Sequence, residues 1–117
     1  MTKKLTVVQM LPELESGGVE RGTLEMGKYL VEHGHRSIVI ASGGRMVDKL
    51  KEEGSEHIDW PVGKKSLSTI RYIKKVRAFL KSEKPDILHL RSRLPAWIGY
   101  LAWKKLPLSD RPKLVTT

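Results

Sequence analysis

The 117 residues contain no cysteine, which excludes disulfides and thiolate metal sites and leaves the redox compartment unreadable from thiol usage. Long apolar runs are missing too. The run after Lys3 and Lys4 is six residues (LTVVQM) and meets Pro12 and Glu13, too short for a secretory signal. The longest uncharged stretch of the second half, residues 94–103, is ten residues, well short of a membrane span. A soluble, cytoplasmic, single-domain protein is the expectation. Neither G-x-G-x-x-G nor a Walker A pattern occurs, which argues against an ordinary dinucleotide or P-loop site; no cofactor is expected. His33-Gly34-His35 has no Asp, Glu or Cys converging on it and reads as a surface turn, so no metal is expected. His89 falls mid-strand and reads as a core or edge histidine. No Ser/His/Asp set can be placed by spacing, and there is no internal repeat.

Acidic residues are scarce in one half only. Residues 1–63 hold 8 basic and 10 acidic side chains, net −2; residues 64–117 hold 14 and 3, net +11, which together make the +9 of the chain. Such a basic half calls for an anionic lipid, a nucleic acid or an acidic substrate, or is a solvated surface.

What is present is an alternation of strand-like and helix-like stretches. Residues 5–10 form an apolar strand. Val19, Gly22, Thr23, Met26, Gly27 and Leu30 recur at three- and four-residue spacing, one stripe of a helix from about 19 to 33, with Gly22 and Gly27 packing it close to the sheet. Residues 37–41 (SIVIA) form a buried strand, 45–53 a short helix turned inward at Met46, Val47 and Leu50, and 57–60 a third strand. Ser66 caps a helix to about Glu83, apolar at Ile70, Tyr72, Ile73, Val76, Phe79 and Leu80 and basic at Arg71, Lys74, Lys75 and Lys81. Residues 86–90 (DILHL) form a fourth strand, Arg91-Ser92-Arg93 its exit loop, and Pro95 the first position of a helix over 96–106. KLVTT, 113–117, is a fifth strand. This β-α order predicts a doubly wound, Rossmann-like parallel sheet of about five strands, with the ligand crevice at the C-terminal strand ends.

The stretch LTVVQMLPELESGGVER organises the rest. A strand feeding Gly17-Gly18 at a helix start presents unpaired N–H groups and the positive end of the helix dipole, with no Cβ in the way. A glycine pair alone is a weak signal; its position after the first strand raises it. The basic helix has three readings: a solvated face, a surface for anionic lipid through Lys64, Lys65, Arg71, Lys74 and Lys75, or a nucleic-acid contact. No nucleic-acid-binding motif accompanies the charge, so nucleic acid is not expected as a partner. The helix over 96–106 is apolar nearly all round. It is either buried against the sheet and a second domain, or meets lipid through Trp97 and Trp103 with Lys104 beside them.

Three segments in order, VVQMLPELESGGVERGTLEMGKYLVEHGHRSIVIASGG, PDILHLRSRLPAWIG and PKLVTT, resemble the N-terminal, acceptor-side domain of family 4 retaining glycosyltransferases, which have the two-domain glycosyltransferase-B fold. The resemblance covers essentially residues 1–117. It implies transfer of a sugar from a nucleotide-sugar donor to a glycan or lipid-linked envelope acceptor, with retention at the anomeric carbon. It implies that Gly17 and Gly18 contact the donor's phosphate or sugar, and that Ser16, Ser42, Gly43, Arg91, Ser92 and Arg93 line the acceptor cleft. Where the family often has a second histidine this chain has Arg91, which suggests an anionic acceptor. The family's donor-binding domain and the cleft histidine after its fifth strand are not in the sequence, so no catalytic residue is assigned. The chain alone is then expected to be inactive: a truncated product, a fragment, or half of a split enzyme completed by a partner chain. A stand-alone binding or regulatory module is the other reading. Docking at the inner face of the plasma membrane and self-association through an exposed interdomain face are further expectations.

Overall fold

The computed structural model describes residues 4–14, 18–60, 69–91 and 93–116. Among them five strands form one sheet: β1 (Thr6–Glu13), β2 (Arg36–Ser42), β3 (Glu56–Asp59), β4 (Ile87–Leu90) and β5 (Lys113–Thr116). Every pairing is parallel and the order is β3-β2-β1-β4-β5. Four helices connect them: α1 (Gly18–Glu32), α2 (Val47–Glu52), α3 (Thr69–Glu83) and α4 (Arg93–Lys104). The doubly wound parallel sheet read from the sequence is therefore the observed fold.

Period-2 alternation sends each strand's side chains to two cores. Val8, Met10, Ile38, Ile40, Leu88 and Leu90 face Ile73, Val76 and Leu80 of α3 and Ile98 and Ala102 of α4. Leu11, Val39 and Ala41 face Leu24 of α1 and Leu50 of α2. Burying one such leucine contributes roughly 1.5–3 kcal/mol, so the two helical layers and the sheet hold one another. Trp60, at the exit of β3, packs edge-on against Phe79 at 6.1 Å and closes the α3 side.

Several boundaries differ from the sequence reading. β1 runs to Glu13, three residues past its expected end, and carries Pro12 inside it. Proline is tolerated there because the β1–β2 register shifts between Met10/Ile40 and Glu13/Ser42, and at a bulge a missing N–H breaks no ladder bond. α4 starts at Arg93, so Arg93 opens the helix rather than belonging to a loop, and Pro95 falls within the first turn, where N–H groups have no helical partner anyway. Residues 108–110, between α4 and β5, make a turn of 3₁₀ helix. Ser66 lies outside the described residues.

The edge opposite the crevice is stitched by polar contacts. Asp86 Oδ2 accepts the Thr6 N–H at 2.8 Å, and its own backbone bonds both β1 and β5. His35 Nδ1 accepts the Leu5 N–H at 3.0 Å, while His33, two residues earlier, stacks on Tyr29. The pair thus serves strand and helix ends separately. Arg36 is bidentate to Glu56 (2.6 and 3.0 Å) and reaches Glu83 at 2.8 Å, joining β2, β3 and the end of α3. The guanidinium hydrogen bonds hold the Glu56 carboxyl below its usual range.

Candidate functional site

β1 is the centre of the winding. The chain leaves it toward β2 and β3 and returns on its other side as β4 and β5. Connections therefore diverge above the carboxyl ends of β1 and β4, the place where open α/β sheets bind ligands in a crevice. α1 begins over it at Gly18. Among the described residues a Cβ added at Gly18 would meet nothing within 4 Å.

On the α1 side of the sheet the crevice floor is polar. Gln9 pairs with His89 in the β1–β4 register, and its side chain is fully buried. Its Oε1 accepts a hydrogen bond from Arg91 Nε at 2.8 Å, and its Nε2 donates to the Thr23 carbonyl of α1 at 3.2 Å. The Arg91 backbone N–H bonds the Met10 carbonyl at 2.9 Å, continuing the ladder one residue past β4. The guanidinium then lies across α1 at Gly22, one turn below Gly18: a Cβ on Gly22 would stand 3.3 Å from Arg91 Nη1. Gly22 is thus small to admit an arginine, where the sequence suggested close sheet packing. Gly27 does meet that expectation, against the hydroxyls of Ser55 and Ser37.

Burial lowers the Arg91 pKa from its ordinary value, and no carboxylate pairs with it among the described residues. The pKa of His89, partly buried in β4 two residues before Arg91, is lowered by burial first and by the Arg91 charge second, which favours the neutral imidazole. The crevice floor accordingly offers cationic and N–H donors, suited to holding an anion in place. Among the described residues there is no group of three or more His, Cys, Asp or Glu that could hold a metal ion.

Ser42 and Gly43 occupy the rim on the far side of β1. The Ser42 carbonyl accepts the Leu14 N–H, and the Gly43 N–H donates to Asp59 Oδ1 at 3.0 Å. They stand over β2 and β3, away from Arg91, so the described members of the cleft set named from the sequence, Ser42 and Gly43 on one hand and Arg91 on the other, lie apart along the sheet edge. Gln9 and Asp59 were not among them. A glutamine inside the run TVVQML was the available signal, since a buried strand rarely carries an unpaired amide. Ser16, Gly17, Ser92, Lys64 and Lys65 lie outside the described residues, as does the Arg93 side chain.

The other named residues sit on the α3–α4 face. Arg71, Lys74 and Lys75 are exposed on α3, with Arg77 and Lys81 beside them, and Lys75 Nζ lies 5.1 Å from the Tyr72 ring centroid. On α4, Lys104 is exposed and Trp97 is 62% exposed. Trp103 is committed inward: its indole N–H donates to the Pro112 carbonyl at 2.8 Å, and Arg111 covers its ring. No helix among the described residues is long and apolar enough to cross a membrane.

The Glycosyltransferase Family 4 profile matches residues 16–117, most of the chain. The chain belongs to Glycosyltransferase Family 4. A solved glycosyltransferase from Rickettsia africae ESF-5 is similar at 37% identity with a TM-score of 0.81, over 98% of this chain and 30% of that one. This Family 4 chain thus spans less than a third of that relative. The calicheamicin glycosyltransferase CalG4 is similar at 19% identity and TM-score 0.56, over 98% of this chain and 33% of that one. The C-terminal domain of a hydrogenase from Pyrococcus furiosus is similar at 18% identity and TM-score 0.68, over 97% and 91% of the two chains. At such identities these last two share the fold alone, one that serves unrelated activities. No protein of curated function matches the chain.

Proposed function

We propose that this Family 4 chain is the acceptor-side half of a retaining transferase that moves a sugar from a nucleotide-sugar donor to a glycan or lipid-linked envelope acceptor. The observation that carries the proposal is the helix start at Gly18, uncrowded by any described residue, above a cationic crevice floor, in a chain of this family. In sugar transfer, negative charge develops on the departing diphosphate, and backbone N–H groups already aimed at it stabilise the transition state more than the ground state. Gly17 and Gly18 take that role, and Ser16, Ser42, Gly43, Arg91, Ser92 and Arg93 the acceptor's side. A donor-binding half supplies the remaining groups, either in the same polypeptide or as a partner chain. The experiment is radiolabelled sugar transfer from a panel of sugar nucleotides to an envelope extract. Transfer is expected from the protein joined to a donor-binding half and none from the 117 residues alone. Transfer by the isolated chain, or none by the joined protein with any donor, overturns the proposal.

Within the same reading, the exposed basic stripe of α3 with Trp97 of α4 meets an anionic bilayer surface. Each lysine or arginine at such a surface contributes about 1 kcal/mol, screened within a Debye length. The chain is expected to sediment with phosphatidylglycerol vesicles at low salt and to be released at 0.5 M salt, with neutral vesicles binding little. Binding that is equal in both salts, or absent from both vesicles, removes the electrostatic docking.

A further inference from the structure

Gln9 and Gly22 form, with Arg91, an arrangement that neither helix packing nor strand pairing requires. A buried strand position is most cheaply filled by an apolar side chain, and a fully buried amide is tolerated only when its hydrogen bonds are made. Gln9 makes them in two directions, to the backbone of α1 and to the Arg91 guanidinium. Gly22, on the facing helix, leaves the space into which Nη1 fits. Three segments far apart in sequence thus fix the plane of one guanidinium at the β1–β4 switch point. The neutral Gln9 oxygen satisfies Nε without cancelling the charge. A glutamate would have made the same contact and neutralised it.

We infer that Gln9, Gly22 and Arg91 form a socket for an acidic group of the acceptor, a phosphate or a carboxylate, in which Arg91 binds the anion and Gln9 is its positioning residue. The inference rests on the acceptor-side reading above and names the acceptor's chemistry. A planar guanidinium clamped at Nε presents its Nη groups as a fork to two oxygens of one oxyanion, the geometry that makes arginine selective for carboxylate and phosphate. Partial burial strengthens that contact relative to an arginine in water.

The test uses the ¹⁵N-labelled chain with inorganic phosphate, glucuronate and glucose as probes, reading the Arg91 Nε–Hε and Gln9 side-chain amide signals by NMR. Phosphate or glucuronate at millimolar concentration is expected to move both signals, and glucose neither. Arg91→Met is expected to abolish the response. Gln9→Met keeps the charge but frees the fork, weakening the response about three- to tenfold. Gln9→Glu pairs with the guanidinium and weakens it by more than tenfold at pH 7, recovering as the carboxyl is protonated. A merely structural glutamine would make the two Gln9 variants alike. If neither variant folds, judged by thermal melting, the wild-type titration decides alone: shifts confined to Arg91, Gln9 and Gly22 support the socket, and shifts confined to the α3 lysines overturn it.

In the joined protein, Arg91→Met is expected to raise KM for the acceptor at least tenfold and to leave KM for the donor within twofold. The reverse pattern assigns Arg91 to the donor's diphosphate and overturns the inference. Sugar transfer with a silent Arg91 defeats the socket alone. Phosphate binding at Arg91 without any transfer defeats the function and leaves the socket standing.

Discussion

Replacing Gly18 by valine is expected to leave the melting temperature of the chain within about 2 °C of wild type while cutting sugar transfer by the joined protein about 10²-fold. The two halves of that expectation come from one observation. Gly22, Gly27, Gly54 and Gly99 are each crowded, so their smallness serves the fold; Gly18 has no described neighbour within 4 Å of an added Cβ, and its backbone is not in the left-handed region. Valine is also a slightly better helix former than glycine. No described residue therefore requires a glycine there, and a β-branched side chain would project into the space beside the start of α1. In the proposed function that space is the one the donor's diphosphate would occupy, and a displacement of about 1 Å at the reacting centre is enough to cost about 10²-fold in rate. Paired melting curves and initial rates are the measurement. A melting point lowered by more than about 5 °C, roughly 1 kcal/mol for a domain of this size, makes Gly18 a structural glycine, and unchanged transfer removes the phosphate from the start of α1.

Gly99→Val is expected to do the opposite, destabilising the chain by about 3 kcal/mol, roughly 15 °C in melting temperature. Gly99 is where α4 rests on the centre of the sheet. An added Cβ would stand 2.4 Å from Leu90 Cδ2 and 3.2 Å from Met10 Sδ. Both side chains are buried, Leu90 at 1% and Met10 at 0% exposure, and they are confined by Ile98 and Ala102, so neither has a free direction in which to move. Gly99→Ala gains about 1 kcal/mol in helix propensity against that crowding, so it is expected to lose less than the valine variant. Urea titration of the three proteins measures the series. Equal stability of Gly99→Val and wild type would mean that α4 stands further from the sheet than described here.

The architecture was legible because its determinants are local and repeated. LTVVQM, SIVIA and DILHL are short apolar runs separated by amphipathic stretches, and that alternation leaves little choice but a parallel sheet between helices. Boundaries were less legible where a residue's usual meaning depends on a distant partner. Pro12 looks like a strand end until β2 supplies the register shift that accommodates it. The site divides in the same way. Gly18 and Arg91 could be placed at the crevice from chain order, since both follow strands of a switch-point sheet. Gln9 could not, because what makes it matter is an arginine 82 positions away in the chain. Nor could the purpose of Gly22, which looks on a helical wheel like any glycine turned toward a sheet.

The proposed function requires the amide groups opening α1 to receive the diphosphate of the departing nucleotide. A crystal structure of the joined protein with a nucleoside diphosphate bound measures this most directly. The expected result is a phosphate oxygen within about 3.2 Å of the Gly18 nitrogen, the reach of an N–H···O hydrogen bond. A diphosphate held away from α1, with the Gly18 N–H turned to solvent or to its own chain, would contradict it.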